Sequence, residues 1–410
     1  MPIYKRMYLI VMNFLDFLIK NSKKYNAKTI NYKLRKIVRK VNNKLFPLFT
    51  QNKIRLLENN FNEILSTSFP QKSKIPLNAS IEINNTCNLK CLMCNTHLSK
   101  RPFGYMELDL FELILKELIK IGINSVGLHT VGEPLMYKDL DGLFNLIDKY
   151  NFKISLSTNG QFPHRLKNLL RSYSHLLNDI RFSIDGATPK VYENIRRGAE
   201  FKKLIQSLEI FHKFNHEKIN YNLDVKIGSV INMTNIYEIP TFFKTYGKYC
   251  WPENIRFTLI NSLSPDSSYF WETLPFPNLV RKTVPCIMPF KSIIFTYDGK
   301  ITLCCRDYNG DLVVGDIRNN SIIEIWNGKL SEKIRNQHLI SKDLEIELCQ
   351  ECYSPIPFIS LITDDFIHSL YYKNPRLSEF EFGERILKLL KDIDNGLKIK
   401  DFAFLSKKHL

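Results

Sequence analysis

The amino-acid sequence predicts an α/β fold: six parallel strands alternating with helices, a small α+β unit after them, and a basic helical extension in front. Three observations predict it. Short β-rich runs alternate with segments whose apolar residues recur at three and four positions. A Pro- and Ser-rich stretch, 261–285, ends that alternation, and most of the net charge sits in residues 1–75. Strand then helix, repeated, implies parallel strands joined by right-handed crossovers. The expected units are 1–75, 76–275, 280–356 and a mixed helical tail at 357–410.

The chain has 410 residues, 44% apolar and 24% charged, with no low-complexity tract, so neither a fibrous nor a mainly disordered protein fits. Residues 1–75 carry 16 Lys or Arg against Asp16, Glu58 and Glu63, which places +13 of the total +17 in this segment. Lys33, Arg35, Lys36, Arg39 and Lys40 interleave with Leu34, Ile37 and Val38 as a basic amphipathic helix. Two readings stay open for it: attachment to an anionic partner, whether a membrane surface, an acidic protein or a polyanion, or a solvated helical extension. A nucleic-acid partner is not expected, because the rest of the chain carries little excess charge. Met7–Ile19 is apolar but only about 13 residues long, is interrupted by Asn13 and Asp16, and is followed by no small-residue cleavage site. The expectation is a cytoplasmic protein, at most peripheral at the inner face of the membrane.

The strands are expected at 79–84, 125–130, 153–157, 180–184, 222–231 and 255–260. Helical patterns lie between them at 108–121, 140–150, 163–174, 201–214 and 236–246. In such a barrel or sheet, ligands sit in the loops at the carboxyl ends of the strands. The polar and glycine-containing stretches fall there: 84–94, 130–134, 158–160 and Asp185-Gly186. Beyond 285, a β-hairpin is expected from Ser292 to Cys304 around Asp298-Gly299, then a helix from Ile322 to Asn336 and another from Phe382 to Ile393.

Nine cysteines, odd in number and clustered, do not suit a disulfide framework in a chain of this size. Cys87, Cys91 and Cys94 share one loop after the first strand. Three thiolates there admit two sites. With His97 they make up the four ligands of a structural zinc; alone they hold a four-iron cluster with one iron open to a cofactor or substrate.

At this loop the sequence resembles the radical S-adenosylmethionine (SAM) superfamily, through Cys87-Asn-Leu-Lys-Cys91-Leu-Met-Cys94. The resemblance continues strand by strand, in Gly132-Glu133-Pro134, Ser157-Thr158-Asn159-Gly160, Ser183-Ile184-Asp185-Gly186 and Ile195-Arg196-Arg197-Gly198. It implies a partial (β/α)6 TIM-type barrel and a SAM-binding 4Fe-4S cluster on Cys87, Cys91 and Cys94. It also implies SAM contacts from Gly132, Glu133, Pro134, Ser157, Asn159, Ser183, Asp185 and Asn232, with Arg196 pairing with the SAM carboxylate. Taken singly, each short element is equally a turn or a helix cap.

Cys286, Cys304, Cys349 and Cys352 form a second set. On spacing alone, zinc and an iron-sulfur cluster both fit. With Pro289-Phe290, Asp298-Gly299, Gly315-Asp316-Ile317 and Ile325-Trp326-Asn327, the region resembles the auxiliary-cluster domain called SPASM, or its shortened twitch form. No cysteine follows Cys352, so a single auxiliary 4Fe-4S cluster is expected. Cys305 is an alternative ligand to Cys304, and Cys250 is expected to be a buried small apolar residue.

The resemblance implies reductive cleavage of SAM to a 5′-deoxyadenosyl radical, fed by a reducing partner such as flavodoxin or ferredoxin. A fully ligated auxiliary cluster suits electron transfer. The expected reaction is therefore an oxidation; the resemblance implies an alcohol or sugar-like small molecule as its substrate and Asp307 as candidate base, and the alternative is maturation of a ribosomally made peptide. A non-catalytic zinc-binding, membrane-associated scaffold is the reading from another class.

Overall fold

Six strands follow one another along the chain: β1 (Asn78–Ile81), β2 (Ser125–Leu128), β3 (Lys153–Thr158), β4 (Leu177–Ser183), β5 (Asp224–Ile231) and β6 (Ile255–Leu259). Each pairs in parallel with the next. The structure is a computed structural model that describes residues 74–396, except 218–222, 251–253, 262–267, 277–279, 283–285, 287, 341–344, 351, 356 and 375. The basic leader, with Met7–Ile19, thus lies outside the described residues, as does the end of the tail. Among the described residues no helix is long and apolar enough to cross a membrane.

Helices α1 (Leu108–Lys120), α2 (Leu140–Lys149), α3 (Pro163–Tyr173), α4 (Pro189–Ile195), α5 (Phe201–Glu217) and α6 (Ile239–Tyr246) supply the crossovers. Their starts are set locally. Asp139 accepts from the Gly142 N–H at 2.9 Å, and Thr188, followed by Pro189, accepts from that of Val191 at 3.4 Å. Each helix buries one stripe: Phe111, Ile114, Leu115 and Leu118 in α1, Leu166, Leu169 and Leu170 in α3.

Burial alternates along the strands. Ile154 and Leu156 of β3, Ile180 and Phe182 of β4, and Val225 and Ile227 of β5 are buried in the core. Ser155, Ser157, Asp179, Arg181, Ser183, Lys226 and Gly228 point the other way and are half-buried or exposed. A parallel sheet covered on both faces reads as a continuous apolar run. The period of two shows that helices cover one face only, leaving an inner face for ligands. The sheet does not close, so the core is a partial TIM-type barrel.

The region after the Pro- and Ser-rich stretch is joined to this sheet. Strand β7 (Val280–Lys282) pairs with a later strand, while β8 (Ser292–Phe295) lies parallel to β1 on the side away from β2. Next come β9 (Lys300–Thr302) and β10 (Val313–Asp316), antiparallel, giving the order β10-β9-β8-β1-β2-β3-β4-β5-β6. The Asp298-Gly299 turn is present, with Gly299 at φ 83°. The helix expected from Ile322 to Asn336 is two: α7 (Ile322–Trp326), begun by a Ser321/Glu324 capping box, and α8 (Lys329–Ile340), with the break at Asn327-Gly328. The partner of β7 is β11 (Tyr353–Pro355).

Helices α9 (Pro357–Lys373) and α10 (Glu379–Gly396) complete the described chain. α9 lies along the open edge of β6, where backbone groups have no further strand to pair with. The Asp364 carboxylate accepts from the Phe257 N–H at 2.8 Å, and His368 Nε2 lies 2.9 Å from the Ile255 carbonyl. Two side chains thereby satisfy the edge as a strand would.

Candidate cluster-binding site

The loop after β1 carries Cys87, Cys91 and Cys94; Cys91 is buried and the other two half-buried. It is pinned by backbone bonds to the end of α4, Lys90 N–H to Arg197 carbonyl and Leu92 N–H to Ile195 carbonyl, both 2.9 Å. Burial pushes the Cys87 thiol up to about 11 and that of Cys91 to about 12. Bare thiolates are costly there, and a bound cation that compensates their charge makes them ligands.

Gly132 follows β2 at φ 85°, and a Cβ there would lie 2.3 Å from the Asn84 carbonyl oxygen, so glycine is required for the close approach of this turn to the β1 end. The next residue, Glu133, is buried. Its carboxylate accepts from Thr158 Oγ1 at 2.7 Å and from the backbone N–H groups of Asn159 at 2.8 Å and Leu135 at 3.2 Å. Burial raises its pKa to about 7 against those donors. Glu133 therefore ties the β2 loop to the β3 end through three accepted hydrogen bonds. Pro134 opens the following turn. Asn159 Nδ2 donates to Asn88 Oδ1 at 2.8 Å and lies 3.8 Å from Cys87 Sγ, reaching the cluster loop itself.

Asp185, fully buried, accepts from the Val230 N–H at 2.7 Å and forms an ion pair with Arg196, Nη2 to Oδ2 2.6 Å. Arg196 Nη1 is 4.0 Å from Cys91 Sγ. One guanidinium thus spans a carboxylate and a cluster-loop sulfur. Asn232, also fully buried, accepts from the Thr234 N–H at 2.8 Å through Oδ1. Ser157 and Ser183 stand half-buried on the inner face at the ends of β3 and β4.

Arg196 Nε, Asn232 Nδ2, Thr130 Oγ1, Asn84 Oδ1 and Asn95 Nδ2 are buried without a hydrogen-bond partner. Buried polar groups are normally satisfied, so this concentration at the strand ends fits a polar ligand of the kind SAM is. A cavity of about 560 Å³ opens beside the loop, lined by Asn88, Cys94, His97, Arg197 and Tyr269 among others.

In the second set, Cys286, Cys304, Cys349 and Cys352 are half-buried and Cys305 exposed. Burial raises the Cys286 thiol to about 11, Cys349 to about 12 and Cys304 well above its ordinary value. Neighbouring sulfurs add to this: Cys305 and Cys352 at Cys286, Cys286 and Cys352 at Cys349. The set converges, and Cys305 converges with it. Among the described residues, no three Cys, His, Asp or Glu side chains meet at one ion's position.

Asp307 serves its own loop. It is buried, and its carboxylate accepts from Thr302 Oγ1 at 2.9 Å and from the N–H groups of Asp311 at 2.7 Å and Leu312 at 2.9 Å. These bonds hold the Cys304 loop in shape and leave the base role without geometric support. Cys250 is half-buried on the Tyr246 carbonyl, rather than fully buried as expected.

Two residues at this second set carry no sequence signal. His338, in α8, is 3% exposed; its Nδ1 accepts from the Cys286 N–H at 3.4 Å and its Nε2 lies 3.7 Å from Cys349 Sγ. Arg306 Nη1 lies 3.4 Å from Cys352 Sγ.

Residues 81–231 match the model of the radical SAM superfamily, and residues 286–353 match that of an iron-sulfur cluster-binding domain, SPASM. A GTP 3′,8-cyclase of Nautilia profundicola is 30% identical over 184 residues, 41% of this chain and 52% of the cyclase. The antilisterial bacteriocin subtilosin biosynthesis protein AlbA of Bacillus subtilis is 21% identical over 295 residues, 66% of this chain and 64% of AlbA. The chain spans about half the length of several of the cyclases it matches. In fold, it is similar to SuiB of Streptococcus suis bound to its precursor peptide SuiA, with TM-score 0.51, 16% identity, and coverage of 71% of this chain and 72% of SuiB. The order of cysteine loop, glycine turn and strand-end polar groups, with a second cysteine set joined to the same sheet, therefore has one reading. The chain belongs to the radical SAM superfamily and carries a C-terminal SPASM-type domain, with S-adenosylmethionine and two 4Fe-4S clusters as its cofactors.

Proposed function

We propose that this chain is a radical SAM oxidoreductase that removes hydrogen from a substrate carbon and passes the remaining electron to the second cluster. The observation that carries this reading is the second cysteine set: the Cys286 N–H and Cys349 Sγ both meet His338, Cys352 Sγ meets Arg306, and Cys304 follows β9 of the sheet that also bears the first loop. When bound, the first cluster and SAM supply a 5′-deoxyadenosyl radical, and the second cluster supplies an electron acceptor. Cys87, Cys91 and Cys94 hold the first; Cys286, Cys304, Cys349 and Cys352 hold the second. Arg196 Nε and Asn232 Nδ2, buried and without partners, offer donors to the carboxylate of SAM and to its other acceptors. Glu133 and Asn159 hold the loops against one another.

On the substrate, the comparisons favour the peptide over the alcohol or sugar-like molecule. AlbA, named for bacteriocin biosynthesis, aligns over 66% of this chain, and SuiB binds a precursor peptide in the same fold. The cyclases, named for GTP, keep a small molecule as the second reading. The test is anaerobic turnover with dithionite, SAM and short peptides encoded beside the gene. The product expected is a peptide lighter by two hydrogens, formed with one 5′-deoxyadenosine per turnover. Peptides returned unchanged while 5′-deoxyadenosine accumulates would refute the peptide reading.

A further inference from the structure

In a closed (β/α) barrel, bulky branched side chains fill the interior. The inner face here is built differently. Between β2 and β5 its residues are Gly127, His129, Ser155, Ser157, Asp179, Arg181, Ser183, Lys226 and Gly228, either small or charged. Small residues leave this face uncrowded, and the charges on it decide what it receives.

Most of those charges are already matched. Asp179 accepts from Ser155 Oγ at 3.0 Å and pairs with Lys226 at 2.9 Å, and Arg256 of β6 pairs with Asp364 of α9 at 2.8 Å. Arg181 differs. It is exposed on the inner face, and among the described residues no carboxylate lies within ion-pairing distance of it. Its position is built: the aliphatic stem rests over Gly228, where a Cβ would sit 3.6 Å from Arg181 Cδ. Across the strand pair it faces Ser157, and one step further along β4 stands Ser183. His129, at the end of β2, folds its ring over Gly127, where a Cβ would lie 2.4 Å from the ring, with Nδ1 3.4 Å from the Ser155 carbonyl. The ring is close enough to feel the Arg181 charge.

We propose that Arg181, flanked by Ser157 and His129, is an oxyanion-recognising subsite on the inner face of the sheet, and that the substrate carries a carboxylate or phosphate that the guanidinium binds. A guanidinium presents a planar fork of donors that matches either group, and a charge-assisted pair of this kind is stronger than a neutral hydrogen bond. An acidic side chain of a peptide and a phosphorylated small molecule offer the same chemistry. The subsite rests on the reading of this inner face as the one the substrate meets.

The experiment uses the full chain, reconstituted anaerobically and loaded with SAM, titrated by calorimetry with glutarate in one arm and inorganic pyrophosphate in the other. The wild type, Arg181→Gln, Arg181→Lys and the surface control Lys120→Gln are compared. At least one probe is expected to bind the wild type and Lys120→Gln alike, and to lose affinity by about tenfold or more in Arg181→Gln, with Arg181→Lys between. Glutarate alone assigns a carboxylate-bearing substrate; pyrophosphate alone assigns a phosphate-bearing one. Binding of neither probe, equal binding to wild type and Arg181→Gln, or a loss of SAM affinity in Arg181→Gln would overturn the proposal. Absence of 5′-deoxyadenosine from the wild type would instead strike the radical reading, and leaves the anion titrations to be judged on their own.

Discussion

Replacing Arg196 with methionine removes the one cation that Asp185 meets in the core. Asp185 is 0% exposed and Arg196 9%. With the 2.6 Å ion pair gone, the carboxylate keeps only the Val230 N–H, donating to Oδ1 at 2.7 Å. Breaking a buried pair by deleting one partner costs about 3–5 kcal/mol, because the survivor is left charged and unpaired. Asp185→Asn in the Arg196→Met background removes that charge and keeps the Val230 bond through the amide oxygen. The double variant should therefore recover about 2 kcal/mol or more relative to Arg196→Met alone. The assay is urea unfolding of anaerobic protein, followed by tryptophan fluorescence, for all four members of the cycle. A loss under about 1 kcal/mol in Arg196→Met, or a double variant as unstable as the single one, would refute the reasoning and assign Arg196 to SAM alone.

Three further outcomes follow from the geometry. Glu133, with a pKa of about 7 in the fold against 4.5 ordinarily, binds more protons folded than unfolded between those values. Wild-type stability then falls with rising pH across that window and levels off above it, so Glu133→Gln, without SAM, should gain about 3 kcal/mol on the wild type between pH 4.5 and 7; a pH-independent difference in denaturation midpoint counts against it. His338→Leu deletes a ring nitrogen facing Cys349 Sγ and should lower the midpoint potential of the second cluster, read by redox titration with electron paramagnetic resonance; an unchanged potential means the contact does not tune the cluster. Asp364→Ala leaves the Phe257 N–H at the β6 edge unsatisfied and should cost about 1–3 kcal/mol in chemical denaturation; no loss would show that α9 does not secure the edge.

How much of this was legible in the sequence depends on how local the signal is. The strands and crossover helices fall near their expected places because period two and period 3.6 are local patterns. β4 begins at Leu177, three residues before the expected Ile180, since Asn178 and Asp179 are polar residues that face outward or into the inner face. The cysteine loop and the Gly132 turn were readable for the same reason: each is a few consecutive residues. What escaped depends on the arrangement of distant segments. The 261–285 stretch looks like a boundary, yet β8 returns to pair with β1. A generic helical tail conceals Asp364 and His368 aligned on the β6 edge. His338 reaches the second cysteine set only through helix packing, and Arg181 stands out only once its inner-face neighbours are seen to be small or already paired. Asp307 was a candidate through the family resemblance near Cys304, and what the sequence did not show is that its carboxylate accepts bonds from its own loop.

The central claim is that two separate cysteine sets hold two clusters and only the first initiates chemistry. Iron and 5′-deoxyadenosine should be counted together in anaerobically reconstituted protein, under dithionite with SAM. The wild type should hold about eight irons. Changing Cys87, Cys91 and Cys94 to Ala should leave about four and abolish 5′-deoxyadenosine, while changing Cys286, Cys304, Cys349 and Cys352 to Ala should also leave about four and preserve it. Persistent 5′-deoxyadenosine in the first variant, or zinc in place of iron in either set, would contradict the account.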